Sequence, residues 1–290
     1  MSAPAQSRAA DYLELAKPRL NLLVVATTAA AFCLGARGAV ELDILLHLIV
    51  GTALVAAGAS AFNMLLERDV DALMRRTQNR PLPAGRLGIL EAGAFATAIS
   101  AMGLVQLALF VNALAAGIAL ATHVSYVLVY TPLKLRTSLA TVVGAVPGAL
   151  PALIGWAAAT NSLSGEGWLL FAIVFLWQMP HFLAIAWLCR DEYARAGFVM
   201  LPVVEPDGRS TARQTVAYAA ALLPVSLTPA LAGLSGPVYF VTALVLSTLF
   251  LWLSLRFARH RTRLEARRLF LGSIVYLPLL CGVLVLDGLL

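Results

Sequence analysis

Charged residues are scarce in this sequence. Lysine, arginine, aspartate and glutamate together make up 12% of its 290 residues, and 60% of the residues are hydrophobic. A soluble domain carries about 25% charged residues, because its surface must be hydrated. The shortage excludes an ordinary water-soluble core and predicts a membrane protein with several spanning segments.

Cysteines are also few. Cys33, Cys189 and Cys281 lie in or at the ends of apolar segments, and no two of them form a CxxC pair. An odd number of widely separated cysteines argues against a disulfide framework and against a zinc site. We expect them to be small apolar packing residues.

The polar segment before the first apolar run does not resemble a targeting sequence. Residues 1–17 include Asp11 and Glu14, whereas a mitochondrial presequence is rich in arginine and poor in acidic residues. The apolar run that follows is better interpreted as a retained first span than as a signal peptide. These features indicate a protein of a bacterial inner (plasma) membrane.

Long apolar stretches dominate the rest of the chain and predict an all-α membrane bundle. A spanning helix needs about 20 mainly apolar residues. Nine stretches meet this requirement, at residues 20–37, 44–66, 88–110, 113–131, 139–159, 167–189, 214–233, 237–256 and 269–288. Eight spans would also fit if one stretch were re-entrant. We expect residues 1–290 to form a single integral membrane domain.

The basic residues test this count. With nine spans, the N-terminus and every second loop share one side of the membrane, and 20 of the 21 lysines and arginines fall there; the exception is Arg37. Because basic residues accumulate on the cytoplasmic side, the N-terminus is expected in the cytoplasm and the C-terminus in the periplasm. A net charge of +6 placed in this way suits an anionic membrane surface, and we expect no binding of nucleic acid.

The two long cytoplasmic loops echo each other. Acidic and basic residues open both loops, at 67–71 after the second span and at 190–193 after the sixth, and a Leu-Pro pair follows at 82–83 and 201–202. The echo is four helices apart. It predicts two related four-helix halves plus a ninth helix, with an active-site mouth on the cytoplasmic side.

Three oxygen-bearing side chains form a stripe where the second span ends. Asn63, Glu67 and Asp71 are four residues apart, which places them within about 80° of each other on one helical face. Polar groups at such a position are costly unless something binds them. Carboxylate and amide oxygens suit Mg²⁺, which completes its shell with water and substrate phosphate. The stripe therefore predicts a catalytic magnesium site.

Basic residues follow the stripe at once and are suited to binding a diphosphate. They are Arg68, Arg75, Arg76 and Arg80. A solvated loop with arginines of the cytoplasmic side is the alternative interpretation, but it leaves the stripe unexplained.

Another basic group lies where the fourth span meets the cytoplasm. It contains Tyr130, Lys134 and Arg136. Taken alone, these residues fit an interfacial belt at least as well as a catalytic role. Beside the stripe, they become candidate contacts for the same diphosphate.

Two histidines lie within predicted spans. His181 belongs to the sixth span and His123 to the fourth. An ionisable residue inside the membrane is usually functional or paired within the bundle. An ordinary buried, hydrogen-bonded histidine is the alternative for both.

These segments together resemble the UbiA superfamily of intramembrane prenyltransferases. The similarity extends over most of the chain, with a first motif at 63–83 and a second motif at 177–203. The segments that carry it are 17–19, 63–81, 130–134, 151–156, 177–182, 191–193 and 200–203. Gln-x-Pro-His-Phe at 178–182 and Met-Leu-Pro-Val at 200–203 are typical of the branch that acts on heme.

The resemblance implies a reaction. The farnesyl group of farnesyl diphosphate is transferred to a vinyl group of protoheme IX (heme B), with addition of water and release of diphosphate. Mg²⁺ is the implied cofactor, with Asp191 of the second motif added to the three residues of the stripe. His181, and after it His123, is the implied contact for heme. The bilayer and other proteins of heme synthesis or oxidase assembly are the expected partners.

Two other functions remain open. A related enzyme with a quinone precursor as acceptor would carry the same diphosphate equipment. A transporter with an internal repeat belongs to a different class and would place its charged site near the bilayer midplane. The acidic residues cluster at one end of the spans instead, which favours the enzyme.

Overall fold

The computed structural model describes residues 7–288, and over that range it is helical with no β-strand. Nine of the described helical segments are long and apolar enough to cross a membrane: α2 (Pro18–Gly35), α3 (Leu42–Leu66), α5 (Ile89–Phe110), the segment Ala113–Leu133, α8 (Ala140–Thr160), α9 (Gly165–Leu188), α12 (Arg209–Leu231), α13 (Pro237–His260) and α14 (Arg263–Gly288). The predicted fold class and the count of nine are confirmed for these residues.

Shorter elements connect the spans. They are α1 (Arg8–Ala16), α4 (Arg68–Asp71), α10 (Arg190–Arg195) and α11 (Leu201–Val204). The segment Ala113–Leu133 consists of α6 (Ala113–Val124), a π-helical turn (Ser125–Tyr130) and α7 (Thr131–Leu133).

The predicted spans match the helices closely except at two N-terminal ends and at the C-terminal end of α13, which reaches His260 instead of the predicted 256. α12 begins at Arg209 and α14 at Arg263, several residues before the predicted 214 and 269. The predicted bounds stopped at polar and basic residues, whereas the backbone hydrogen bonds of a helix continue through them. Arginine side chains can follow the helix surface and keep their charged ends in water.

The helices form a bundle that closes on itself. α2 packs against α3, α8 and α14, while α9 packs against α8, α12 and α14. Gly155 of α8 allows the close approach of α2, since a β-carbon at this position would collide with the carbonyl group of Thr28. The grouping of the spans into two related halves stays a prediction.

Most of the basic segments meet at one end of this bundle, called here the basic end. Contacts join them pairwise: Arg86 to Asp11 at 2.8 Å, the Arg76 amide to Glu192 at 3.4 Å, the Val199 amide to the Lys134 carbonyl at 2.8 Å, and Arg263 to Asp191 at 3.4 Å. The N-terminal segment and four loops therefore surround a common space, as the charge pattern predicts.

Candidate active site

A polar cavity of about 170 Å³ lies at the basic end, and four chain segments form its wall. The residues that line it are Lys17 between α1 and α2, Asn63, Glu67, Asp71, Met74, Arg76 and Arg80 of the first motif, Tyr126, Tyr130 and Lys134 of the fourth span, and Tyr193, Phe198 and Met200 of the second motif.

The stripe of Asn63, Glu67 and Asp71 faces this cavity. Helical hydrogen bonds continue past the end of α3, since the Glu67 amide donates to the Asn63 carbonyl at 3.0 Å and the Asp71 amide to the Glu67 carbonyl at 2.7 Å. The three residues are buried, with exposed fractions of 2%, 7% and 1% over the whole residue. The chain therefore places three oxygen donors on one face, as their spacing predicts.

Each carboxylate of the stripe is paired with a cation. Lys134 Nζ lies 2.6 Å from Glu67 Oε1, and Arg80 donates to Asp71 Oδ2 at 2.6 Å. Burial raises the pKa of Asp71, and the Arg80 guanidinium only partly opposes this shift. Burial by itself lowers the pKa of Lys134, but the neighbouring Tyr130 and Glu67 outweigh it and the net shift is upward. Lys134 is therefore held as an ammonium ion.

Hydrogen bonds fix the orientation of the Asn63 amide. Its oxygen accepts from Lys17 Nζ at 3.1 Å, and its nitrogen donates to Thr131 Oγ1 at 3.2 Å. Thr131 in turn donates to the Tyr126 carbonyl at 2.9 Å. Burial, together with the charges of Arg80 and Lys134, lowers the pKa of Lys17 to about 7. Three cations thus crowd one small space.

The π-helical turn Ser125–Tyr130 shapes the wall opposite the stripe. Such turns are rare and are often found at functional sites. Here Tyr126 and Tyr130 both line the cavity, with ring centroids 5.3 Å apart, and Lys134 Nζ lies 4.6 Å from the Tyr130 centroid. Gly144 of α8 leaves room for the Tyr130 ring, which a β-carbon at this position would overlap.

The second motif contributes aromatic rings to the cavity, and its Asp191 does not reach it. Tyr193 and Phe198 are in edge-to-face contact, with centroids 5.6 Å apart. The Asp191 side chain is 70% exposed and lies 3.4 Å from Arg263 and 3.7 Å from Arg190. Its predicted role as a metal ligand therefore receives no support from this geometry, because its carboxylate pairs with arginines at the surface.

The predicted diphosphate contacts divide into two groups. Arg76, Arg80, Lys134 and Tyr130 line the cavity. Arg68, Arg75 and Arg136 do not belong to its wall, and Arg68 pairs instead with Asp69 at 2.8 Å. The spacing along the loop could not separate these groups, because the turns after Asp71 decide which arginines face inward.

An apolar cavity of about 230 Å³ shares Lys17 and Tyr126 with the polar one. His123 belongs to its wall, and its imidazole meets the Phe62 ring edge-on at 5.7 Å. His181 lines neither of these two cavities. It lies between α9 and α14, with Nδ1 2.6 Å from Ser273 Oγ.

The donor set suits a magnesium ion that is shared with a phosphorylated substrate. Among residues 7–288, no group of three or more His, Cys, Asp or Glu side chains could hold a metal by itself. One amide oxygen and two carboxylates would leave coordination positions for water and phosphate, which is how Mg²⁺ usually binds. The cations around the stripe are suitable donors for phosphate oxygens.

Several cavity residues were not predicted as site residues. Lys17 stood out in the sequence only as part of the Lys-Pro-Arg segment at 17–19, and Tyr193 only as a neighbour of Asp191. Tyr126 and Phe198 carried no signal, because a π-helical turn and a loop that returns to Lys134 cannot be recognised from spacing.

Known proteins resemble this chain in sequence and in fold. The model of the UbiA prenyltransferase family matches residues 24–277. Protoheme IX farnesyltransferase of Solibacter usitatus is 50% identical over 286 residues, covering 96% of this chain and 98% of that one. A UbiA homolog from Aeropyrum pernix K1 has a TM-score of 0.73 at 21% identity, covering 93% of this chain and 98% of that one. A UbiA homolog from Archaeoglobus fulgidus bound to DMAPP and Mg²⁺ has a TM-score of 0.66 at 17% identity, covering 94% and 99%.

Proposed function

Because the chain belongs to the UbiA prenyltransferase family, we propose that it transfers the farnesyl group of farnesyl diphosphate to a vinyl group of protoheme IX. Water adds in the same reaction, and the products are heme O and diphosphate. The assignment of heme as the acceptor rests on the 50% identity to a protoheme IX farnesyltransferase over nearly the full length of both chains.

The two adjoining cavities support the binding of farnesyl diphosphate. The polar cavity suits the diphosphate, and the apolar cavity that meets it at Lys17 and Tyr126 suits the prenyl chain. A solved relative with this fold binds DMAPP and Mg²⁺, which supports a magnesium-dependent site of the same kind here. Asn63, Glu67 and Asp71 would hold the ion, which would neutralise the diphosphate as it leaves.

Charge balance determines how the residues of the chain act in this reaction. Before substrate binds, Lys134 and Arg80 neutralise Glu67 and Asp71. With diphosphate and Mg²⁺ bound, Glu67 and Asp71 would hold the metal, and Lys134, Arg80 and Arg76 would donate to phosphate oxygens.

Bond breaking follows from this arrangement. The C1–O bond of the prenyl chain breaks, and its electron pair leaves with the diphosphate. Apolar side chains keep water from the allylic cation. The π electrons of the vinyl group then form a bond to C1, and water adds to the cation beside the macrocycle and releases a proton.

Two histidines within the spans are the candidates for contact with heme. His181 and His123 are the candidate residues for the iron or a propionate. His181 belongs to the second motif, and His123 stands in the wall of the cavity assigned to the prenyl chain. The protein is a multi-pass membrane protein, and we place it in the bacterial inner membrane with the basic end in the cytoplasm.

Product analysis tests the proposal. Purified protein is incubated with farnesyl diphosphate, Mg²⁺ and either heme B or 4-hydroxybenzoate, and the products are identified by mass. The expected result is a farnesylated, hydrated heme and no change in 4-hydroxybenzoate. Prenylation of 4-hydroxybenzoate alone would assign a quinone precursor as acceptor. Absence of diphosphate release with every acceptor would favour a transporter.

A further inference from the structure

A series of hydrogen bonds connects His181 of α9 to α14. His181 Nδ1 lies 2.6 Å from Ser273 Oγ, and the same oxygen lies 2.6 Å from the Phe270 carbonyl oxygen. Trp177 Nε1 donates to the Ser273 carbonyl at 2.9 Å. Ser273 is fully buried, so water does not compete for these bonds. A single serine thus ties the histidine to the last helix.

The protons available for these hydrogen bonds determine the tautomer of His181. Two oxygens 2.6 Å apart are stable only with a proton between them, and a carbonyl has no proton to donate. The Ser273 hydroxyl therefore donates its only proton to Phe270. It must then accept the hydrogen bond from His181, whose Nδ1 carries the proton. The other ring nitrogen, Nε2, keeps its lone pair.

The Nε2 atom of His181 makes no hydrogen bond to the described part of the protein. It does not belong to the buried polar atoms that lack a partner. The rings of Trp177 and Phe270 both lie with their centroids 5.2 Å from the imidazole and limit its rotation. The ring is thus held in place, and the Nε2 lone pair is not used by a hydrogen bond to a described residue.

We propose that Ser273 is a positioning residue that fixes His181 as an Nδ1–H imidazole, so that Nε2 ligates the iron of the heme substrate. Histidines that ligate metals commonly donate their other ring N–H to a fixed acceptor, which orients the ring and raises its basicity. The inference rests on the proposed function, because heme as the substrate comes from there.

His123 lacks such an arrangement. Its Nδ1 is buried without a partner among residues 7–288, so no acceptor there holds an Nδ1–H and leaves Nε2 for a ligand, and the Val55 backbone is close enough to hydrogen-bond the ring. Its ring borders the apolar cavity that suits the prenyl chain. Of the two intramembrane histidines, His181 is therefore the iron ligand.

Binding of ferrous heme B to the full-length protein, without farnesyl diphosphate, tests this inference. The wild type should show the iron–histidine stretch in resonance Raman spectra, and His181→Ala should lose it. Ser273→Ala should bind heme about ten-fold more weakly, as changes next to a metal ligand usually do, and shift the stretch to lower frequency. Ser273→Thr keeps the hydroxyl and should restore both properties.

Ser247→Ala is the matched control. Ser247 is also buried, and its hydroxyl bonds Tyr276 of α14 at 2.8 Å, away from His181. This variant should leave heme affinity and the stretch unchanged. An unaltered spectrum and affinity in Ser273→Ala, or an iron–histidine stretch that survives in His181→Ala and disappears in His123→Ala, would overturn the inference.

The same preparation separates this inference from the proposed function. Farnesyl transfer to heme without ligation by His181 would leave the function intact and refute the role of Ser273. Ligation that depends on His181 and Ser273, without any farnesylated product, would refute the proposed function and support the positioning role.

Discussion

Lys134 Nζ lies 2.6 Å from Glu67 Oε1 and thereby joins the ends of the fourth and second spans. The side chains are 11% and 9% exposed, so removing one charge leaves the other buried without its partner. Asp71 and Arg80 form a second pair at the same distance. Under the proposed function, both carboxylates would hold Mg²⁺ and both cations would bind the diphosphate.

Replacing Glu67 by Gln should lower turnover about 10²–10³-fold, as is typical when one electrostatic group at a reacting centre is lost. The amide keeps the size of the side chain but removes its charge. Product formation measured over a range of Mg²⁺ concentrations should also show a higher magnesium requirement.

Asp69→Asn is the control for this variant. Asp69 lies in the same loop, but its side chain is 83% exposed and pairs with Arg68. It should turn over like the wild type. A Glu67→Gln protein with normal turnover would contradict the assignment of the metal site.

Arg80 and Arg75 differ only in where the loop places them. Arg80→Gln should raise the KM for farnesyl diphosphate about ten- to a hundred-fold, because a hydrogen bond to a charged group contributes about 1.5–3 kcal/mol. Arg75→Gln should leave KM unchanged, since Arg75 is exposed and outside the cavity wall. Equal effects of the two changes in steady-state kinetics would mean that the arginines act only through overall charge.

Lys17 was not predicted as a site residue, and the structure gives it a specific role. Lys17→Gln should weaken farnesyl diphosphate binding about ten-fold, since it removes a cation from the cavity and a donor to Asn63. Arg19→Gln is the control two residues away, because Arg19 is exposed. A diphosphate-binding titration with both variants decides the matter, and similar affinities would contradict the role of Lys17.

Asp191 is predicted from the sequence to bind metal, whereas the structure places its side chain at the surface. Its pairs with arginines are exposed, and such pairs contribute only about 0–1 kcal/mol. Asp191→Asn should therefore retain turnover within a few-fold of the wild type. Its kinetics should be compared with those of Asp71→Asn, which should be nearly inactive. A comparable loss in both would return Asp191 to the metal site.

Gly155 is needed where α2 and α8 meet. A methyl group there would collide with the Thr28 carbonyl, and overpacking of this kind costs about 1–3 kcal/mol. Gly155→Ala should lower the Tm of the protein in detergent. Gly282→Ala should not, because a β-carbon at that helix position has no atom within 4 Å. An unchanged Tm for both variants would show that the helices separate at little cost.

The sequence predicted the membrane helices well because lipid imposes a simple rule. A span needs a long apolar run, and its ends are marked by charge, so eight of nine predicted C-terminal bounds and seven N-terminal bounds fall within about two residues of the helices. The starts of α12 and α14 and the end of α13 extend further, because their polar turns remain helical beyond the apolar core.

The sequence predicts only those parts of the candidate site whose residues lie close together along the chain. Asn63, Glu67 and Asp71 share a face through helical spacing alone. The contribution of Lys17 and Tyr193 depends on contacts between segments more than 40 residues apart in the chain. No periodicity contains that information, and the same holds for the choice of Arg76 and Arg80 over Arg75.

The proposed reaction transfers a farnesyl group to heme and adds water. The most direct test is a single reaction of purified protein, heme B, farnesyl diphosphate and Mg²⁺ in water enriched in heavy oxygen. One diphosphate should be released for each heme modified, and each product should contain one heavy oxygen atom. Diphosphate release that does not require heme, or a farnesylated heme without the heavy oxygen, would contradict it.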